Sequence, residues 1–262
     1  MKKLWSLFFL ILYMSCNNNV MNDRMFNGNE YADQPDCKQL TDTTGLNLYP
    51  FTPFTDEEVK TLAYGTKLKR RQIPDDALRG MTTKELFYQF VLCDMSPGMY
   101  LHHSAQAGFR ATVKQLNMLP ELLNRPDAGR VLLDLLGGVE LAALDGAGCF
   151  HAYECMQRII AQAEVIDRMR EEEIDEYIAL MMYHQETVRE LSETNDSWNY
   201  PESLAAVFYG LGNVMLRFEY EPFHRLVETD AGVSGLMAGN NLKSAQTVSL
   251  INNCIAHFKD VF

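Results

Sequence analysis

The sequence predicts an all-α fold, a multi-helix array without a β-sheet, and two observations carry this prediction. From Thr55 onward, apolar residues recur at the three- and four-residue spacing of an amphipathic helix, as Leu86, Phe87 and Phe90 do. No segment shows the strict apolar–polar alternation that is typical of a half-buried strand. The apolar fraction of 47% is ordinary for a packed globular protein, so the chain can form a core.

Helix-start signals place the first helices. Thr55-Asp56-Glu57-Glu58 and Thr82-Thr83-Lys84-Glu85 each fit a capping box, in which the Thr and Glu side chains accept from each other's backbone amides. Pro74 suits the first turn of a short helix, because its fixed φ is already helical. Ser96-Pro97-Gly98 predicts a turn, and Ser104 predicts the N-cap of the helix that follows.

The remaining chain continues the helical pattern. The predicted helices span about 120–125, 127–136, 139–145, 148–168, 171–193, 201–219, 222–228, 230–238 and 241–259. The stretch from Leu204 to Leu216 differs from the others, because it is apolar nearly all round and contains Gly210 and Gly212. This composition predicts a central helix that packs on several sides, with the glycines allowing close approach of its neighbours.

An internal similarity favours stacked helical hairpins, as in α-solenoids. The residues from Leu123 to Gly129 recur in part as Leu226 to Gly232, with an Asp-Ala-Gly sequence at the end of each. Each Asp could cap a helix after a short preceding one, which would give two copies of a helix–loop–helix joint. Chance similarity stays the alternative.

The N-terminal residues predict export. Residues 1–15 have the layout of a signal peptide, with Lys2 and Lys3 before an apolar run and the small Ser15 just before Cys16. The run is too short to span a bilayer, which takes ~20 apolar residues. Residues 16–50 are rich in polar residues and lack periodicity, so they predict a flexible tether. Residues 51–262 are predicted to form a single helical domain.

The end of the apolar run, at Cys16, resembles a bacterial lipoprotein signal. In that family a diacylglyceryl group is attached to the cysteine, which becomes the first residue of the mature chain. Tyr13 and Met14 depart from the commonest form of the signal, so an ordinary cleaved signal or an uncleaved anchor stays open. The resemblance implies a lipid anchor through Cys16 in the cell envelope, in the outer membrane and facing the periplasm or the surface.

Three stretches in the middle of the chain carry a second resemblance. Ile73–Leu78, Met81–Leu86 and Leu122–Gly129 are similar to a group of uncharacterised all-helical lipoproteins from gut bacteria. The similarity implies an envelope location and no known activity, and it carries no catalytic residue over to this chain.

Charge and motifs exclude several classes of function. Without Lys2 and Lys3 the 23 basic side chains become 21 against 35 acidic ones, which leaves a net charge of −14. A chain this acidic is repelled by nucleic acid and by anionic membrane surfaces. Gly146-Ala147-Gly148 follows a helical stretch and has His151 where a dinucleotide site needs glycine or alanine. We therefore expect no nucleic acid partner and no cofactor.

Three histidines are weak candidates for catalytic residues. Helical spacing places His184 on the face of Tyr177 and Met181, which predicts an inward side chain. An inward histidine is either a core residue bonded to a carbonyl or an acid–base or ligand residue. His102 and His103 fall in a loop before a helix, as solvated residues or as part of a ligand site.

The cysteines predict neither a metal site nor a disulfide scaffold. Five remain after Cys16, an odd number that leaves at least one unpaired. Cys149 and His151 point about 200° apart on a helix, so only His151 and Cys155 could share a ligand. Two ligands make a poor zinc site. We predict no metal here, but a surface histidine beside a cysteine at the edge of the core.

The sequence favours a non-enzymatic function. The leading hypothesis is a lipid-anchored interaction or scaffold module of the cell envelope that binds a protein or a polymer. The alternatives are an envelope hydrolase or metal-dependent enzyme that uses a histidine such as His184 or His102, and a purely structural lipoprotein. Convergence of two or more histidines or carboxylates in one pocket would favour the enzyme, and a groove without them would favour binding.

Overall fold

The computed structural model describes residues 40, 42–144, 147–193, 204–242 and 244–262, and the regular secondary structure of these residues is helical, without a strand. The all-α prediction is therefore confirmed. The predicted signal peptide and Cys16 lie outside the described residues. We number the α-helices in chain order: α1 Asp56–Thr61, α2 Tyr64–Lys69, α3 Asp75–Gly80, α4 Thr83–Val91, α5 Ala105–Val113, α6 Met118–Asn124, α7 Ala128–Gly137, α8 Ala147–Ile160, α9 Ala163–Ile166, α10 Glu171–Ser192, α11 Ala205–Arg217, α12 Glu221–Thr229, α13 Ala231–Met237 and α14 Ala245–Val261.

Local capping explains where several helices begin. Thr55 and Thr82 both form the predicted capping boxes, with Glu58 and Glu85 as their reciprocal partners. Ser104 caps α5 as predicted, accepting a hydrogen bond from the Ala107 amide. The helix predicted at 139–145 is wrong over its described part, because residues 139–144 contain only a short 3₁₀ helix, Leu141–Ala143. The predicted turn at Ser96 is part of another 3₁₀ helix, Ser96–Leu101.

The single helix predicted over 148–168 is wrong, because the chain breaks between α8 and α9. The break lies at Ala161 and Gln162, and both residues have partners that an unbroken helix would not provide. The Asn213 side chain of α11 donates to the Ala161 carbonyl at 2.8 Å. The Gln162 side-chain amide donates to the Arg158 carbonyl at 2.5 Å. A long-range contact thus decides the break.

Helix α11 is the central helix that its composition predicts. It packs against the three helices before it in the chain, α8, α9 and α10, and against the three after it, α12, α13 and α14. At Gly210 an added Cβ would lie 1.8 Å from the Tyr177 hydroxyl of α10, so only glycine allows this approach. The contacts of α11 with six other described helices account for the burial of most of its residues.

The two Asp-Ala-Gly sequences occupy similar joints but use their aspartates differently. Each lies between a helix and the next one, α6 and α7 in the first case and α12 and α13 in the second. Asp230 caps α13 by accepting from the Val233 amide at 2.9 Å. Asp127 makes no such cap, because its carboxylate accepts a hydrogen bond from Thr83 instead.

The packed body begins earlier than the boundary at residue 50 that the sequence suggested. The Asn47 and Tyr49 amides donate to the Glu85 and Gln89 side chains of α4, both at 2.7 Å. The apolar side chains of Leu46, Leu48, Tyr49 and Phe51 pack against the core. The last part of the expected tether is therefore bound to the domain.

The cysteines are mainly core residues. Cys93, Cys149 and Cys155 are buried, and Cys149 is disulfide-bonded whereas Cys93, Cys155 and Cys254 are free thiols. Burial raises the pKa of the Cys93 thiol to about 12, which keeps it protonated and unreactive.

None of the described helices is both long and apolar enough to span a membrane.

Candidate functional site

A surface cavity of about 550 Å³ lies where α5 meets α11 and the end of α13. Its volume falls within the range of small-ligand sites, about 300–1,000 Å³. Its polar lining groups come mostly from α5 and the residues that follow it. The lining residues are Gln106, Ala107, Arg110, Ala111, Lys114, Gln115, Tyr209, Met237, Ala238 and Gly239. We call this space the α5 cavity.

Helix α5 presents a polar stripe to the cavity. Gln106, Arg110 and Lys114 are spaced by four residues, so they lie on one face, one turn apart. Phe109 points the other way, where it is fully buried against the Phe90 ring with centroids 6.3 Å apart. The buried aromatic fixes the rotation of the helix, and this rotation turns the stripe toward the cavity.

The end of α13 forms the opposite wall. Gly239 has a φ of +89°, a left-handed conformation that favours glycine. Its amide donates to the Leu236 carbonyl, and the Asn240 amide donates to the Gly235 carbonyl, the two bonds of a Schellman motif. The Ser104 hydroxyl donates to the Gly239 carbonyl, so the start of α5 is tied to the end of α13.

Arg110 is held in place by two partners. Its guanidinium lies 2.9 Å from the Glu164 carboxylate and donates to the Tyr209 hydroxyl at 3.2 Å. Burial would lower the pKa of Arg110, but these two partners outweigh it and raise the pKa. Arg110 therefore stays charged and oriented at the mouth of the cavity.

The floor of the cavity contains buried polar groups. Gln106 is only 5% exposed and Tyr209 only 7%. The Gln106 amide donates to the Gln162 side chain at 3.1 Å, while its own carbonyl oxygen is buried without a hydrogen-bond partner among the described residues. Lys114, by contrast, is exposed at the rim, and within the described ranges its ammonium joins no ion pair. The cavity thus combines buried polar groups with an exposed cation.

A smaller cavity of about 350 Å³ lies on the other side of the Gly239 turn. His103 lines it together with Asn240, Asn241 and Thr247. The Asn241 side chain donates to the His103 carbonyl at 3.3 Å. His103 is thus near a cavity, whereas its exposed neighbour His102 lines neither of the two.

His184 is buried, as its helical face predicts. Its Nδ1 lies 3.2 Å from the Tyr153 hydroxyl, which also accepts from the Gln157 amide at 2.5 Å. Its Nε2 has no hydrogen-bond partner among the described residues. Burial lowers the pKa of His184 to about 4, so the ring is neutral at neutral pH. The partner of His184 is a tyrosine rather than the expected carbonyl. His184 lines neither of the two cavities.

The prediction of a cysteine at the edge of the core beside a surface histidine is wrong. Cys155 is fully buried, and the His151 ring is covered by the 3₁₀ helix Ser96–Leu101. His151 Nε2 lies 2.9 Å from the Ser96 hydroxyl, and Nδ1 lies 3.2 Å from the Tyr100 hydroxyl. Burial lowers the pKa of His151 to about 4.

Sequence reasoning missed this serine–histidine pair and the α5 cavity. The distance between Ser96 and His151 is suitable for a nucleophile and its base, but Ser96 is fully buried and borders neither cavity. The four-residue spacing of Gln106, Arg110 and Lys114 was a usable signal for a polar helix face. Nothing local indicated that Tyr209 and Gly239 would face it.

Within the described part of the chain, no three histidine, cysteine, aspartate or glutamate side chains lie close enough together to hold a metal ion. Comparison with models of known protein families, with curated proteins and with solved structures finds no match to this chain. The geometry of the α5 cavity and the contacts of the buried histidines therefore provide the basis for a functional proposal.

Proposed function

We propose that this chain is a lipid-anchored interaction module of the bacterial cell envelope, which binds a protein or a polymer through the α5 cavity. The anchor would be Cys16, as its resemblance to a lipoprotein signal implies. The observation that carries the proposal is the lining of the cavity. Among the described residues that line it there is no histidine and no carboxylate, but a cationic and polar stripe on α5.

The physical character of the cavity supports binding rather than chemistry. Arg110 is fixed by Glu164 and Tyr209, so little side-chain entropy is lost when it contacts a ligand. Lys114 is free to reach toward a bound molecule. In a chain as acidic as this one, Lys114, which joins no ion pair within the described ranges, provides a local exception to the general repulsion of anions.

The enzymatic alternative, an envelope hydrolase or metal-dependent enzyme using His184 or His102, has less support. A catalytic base must come within hydrogen-bond reach of its substrate. His184 is fully buried and lies outside both cavities, and His102 is exposed in a loop outside both. Neither histidine ring therefore lies in a cavity described above where it could reach a substrate.

Crosslinking in native envelopes tests the proposal. The wild-type lipoprotein, a Lys114→Glu variant and a Lys259→Glu control would each be crosslinked to surrounding molecules. Lys259 is exposed on α14 and does not line the cavity, so the control has the same charge change at another site. We expect a species that wild type and control capture and Lys114→Glu does not. Equal capture by all three proteins would contradict binding through the α5 cavity.

A further inference from the structure

The side-chain donors that line the α5 cavity outnumber the one unpartnered buried acceptor among its described residues, the Gln106 side-chain oxygen. The Tyr209 oxygen accepts from Arg110, so its own proton is free to donate into the cavity. The Gln115 side-chain oxygen accepts from Tyr64 at 2.7 Å, so the side chain has amide donors to contribute to the lining. Lys114 adds an ammonium group with three donors. A ligand that satisfies these groups must provide several acceptor oxygens.

The local charge limits how many negative charges the ligand carries. Glu164 neutralises one of the two cations by its contact with Arg110 at 2.9 Å, which leaves a single positive charge at the cavity. A carboxylate matches this charge, whereas a phosphate monoester carries about −1.5 to −2 at neutral pH. The surplus negative charge of a phosphate would also be repelled by the rest of this acidic chain, whose net charge is −12.

The rest of the lining suits the carbon skeleton of such a ligand. Ala107, Ala111, Met237 and Ala238 form an apolar wall beside the cationic stripe. The cavity lining therefore combines cationic groups with an apolar surface.

We propose that the α5 cavity is a carboxylate-binding site, in which Lys114 and Arg110 hold the carboxylate and Tyr209 donates a hydrogen bond to the same ligand. This inference rests on the proposed function and names the chemistry that the module recognises. The carboxylate can belong to a small organic acid or to the end of a polymer chain, and the following probes distinguish these sources.

Calorimetric titration of the full-length lipoprotein in detergent tests the site. One pair of probes is N-acetyl-alanyl-alanine and its carboxamide, and a second pair is glucuronate and glucose, with inorganic phosphate as a separate probe. We expect at least one acid to bind and its neutral counterpart not to bind. Binding of the peptide acid alone would identify a chain end, and binding of glucuronate alone would identify a sugar acid.

Matched variants locate the binding. Lys114→Gln should weaken the acid about tenfold, the size expected when one charge-assisted contact is lost. Lys259→Gln removes an equivalent exposed charge on α14 and should leave the affinity unchanged. Tyr209→Phe keeps the buried ring and removes only the hydroxyl, so it should also weaken binding. Because Lys114 is exposed, its substitution does not depend on refolding of the core.

Several results would overturn the assignment. These are equal binding of an acid and its neutral counterpart, tighter binding of phosphate than of either acid, an unchanged affinity in Lys114→Gln, or no binding of either acid at millimolar concentration. Crosslinking separates this failure from that of the proposed function. If a species is captured through Lys114 but no acid binds, the interaction module stands and the carboxylate assignment fails. If an acid binds but no species is captured, the carboxylate site stands and the interaction module fails.

Discussion

Replacement of His184 by glutamine should remove part of the acid sensitivity of the fold. Burial lowers the pKa of His184 from its ordinary 6.5 to about 4, so the unfolded chain binds a proton that the folded chain does not. The contribution of the neutral His184 to the free energy of unfolding is fully present above pH 6.5, and it is lost as the pH falls from 6.5 toward 4. Over this window the loss reaches about 3 kcal/mol, at 1.36 kcal/mol for each pKa unit.

Urea unfolding followed by circular dichroism measures this effect at pH 7.5, 6.5, 5.5 and 5.0. At neutral pH the His184→Gln variant should be less stable than wild type by about 1–3 kcal/mol, because Tyr153 loses a buried partner and the packing changes. Between pH 6.5 and 5.0 the difference should shrink by about 2 kcal/mol, because only wild type has this proton to bind.

Two comparisons make the result specific. His102→Gln changes an exposed histidine and should follow the wild-type curve throughout. His151, whose pKa is also lowered to about 4 by burial, remains in every protein, so the free energy of unfolding of the variant still falls as the pH is lowered. Carboxylates such as Glu85, whose pKa is lowered by the Thr82 amide, lose their contribution only below their ordinary 4.5. Parallel curves for wild type and His184→Gln would refute the buried, neutral histidine.

Three further predictions use other parts of the chain. Cys16→Ser should abolish lipid labelling and release the protein from membranes, and a variant that still partitions into detergent like wild type would contradict the lipid anchor. Gly210→Ala places a Cβ 1.8 Å from the Tyr177 hydroxyl and should lower stability by about 1–3 kcal/mol, whereas Gly65→Ala has nothing within 4 Å and should not, as thermal melts would show. Non-reducing mass spectrometry should find Cys149 in a disulfide-linked peptide, and alkylation of Cys149 without reductant would count against this.

The helix starts were predictable because capping is a local interaction. The capping boxes at Thr55 and Thr82 join residues three positions apart, so the sequence contains both partners. The central position of α11 was equally readable, since an apolar surface on all sides leaves no face for water. The inward direction of His184 followed from helical periodicity alone. Its tyrosine partner did not, because Tyr153 lies on another helix.

Contacts between distant segments produced the errors. The break after α8 depends on Asn213, and the burial of Cys155 depends on a core that its own helix does not reveal. The packing of residues 42–54 depends on hydrogen bonds from Asn47 and Tyr49 to side chains of α4. A polar, aperiodic stretch gives no periodic signal of such docking.

The all-helical class, most helix starts and the identity of the buried central helix were predictable from the sequence. These features follow from hydrophobic periodicity and from hydrogen bonds within a single turn. The candidate site, in contrast, was not predictable from any one segment. Gln106, Arg110 and Lys114 meet Tyr209 because Phe109 fixes the rotation of α5 and the Ser104 hydroxyl ties it to Gly239. A cavity exists only where separate helices leave space between them, and that space depends on packing which no single segment encodes.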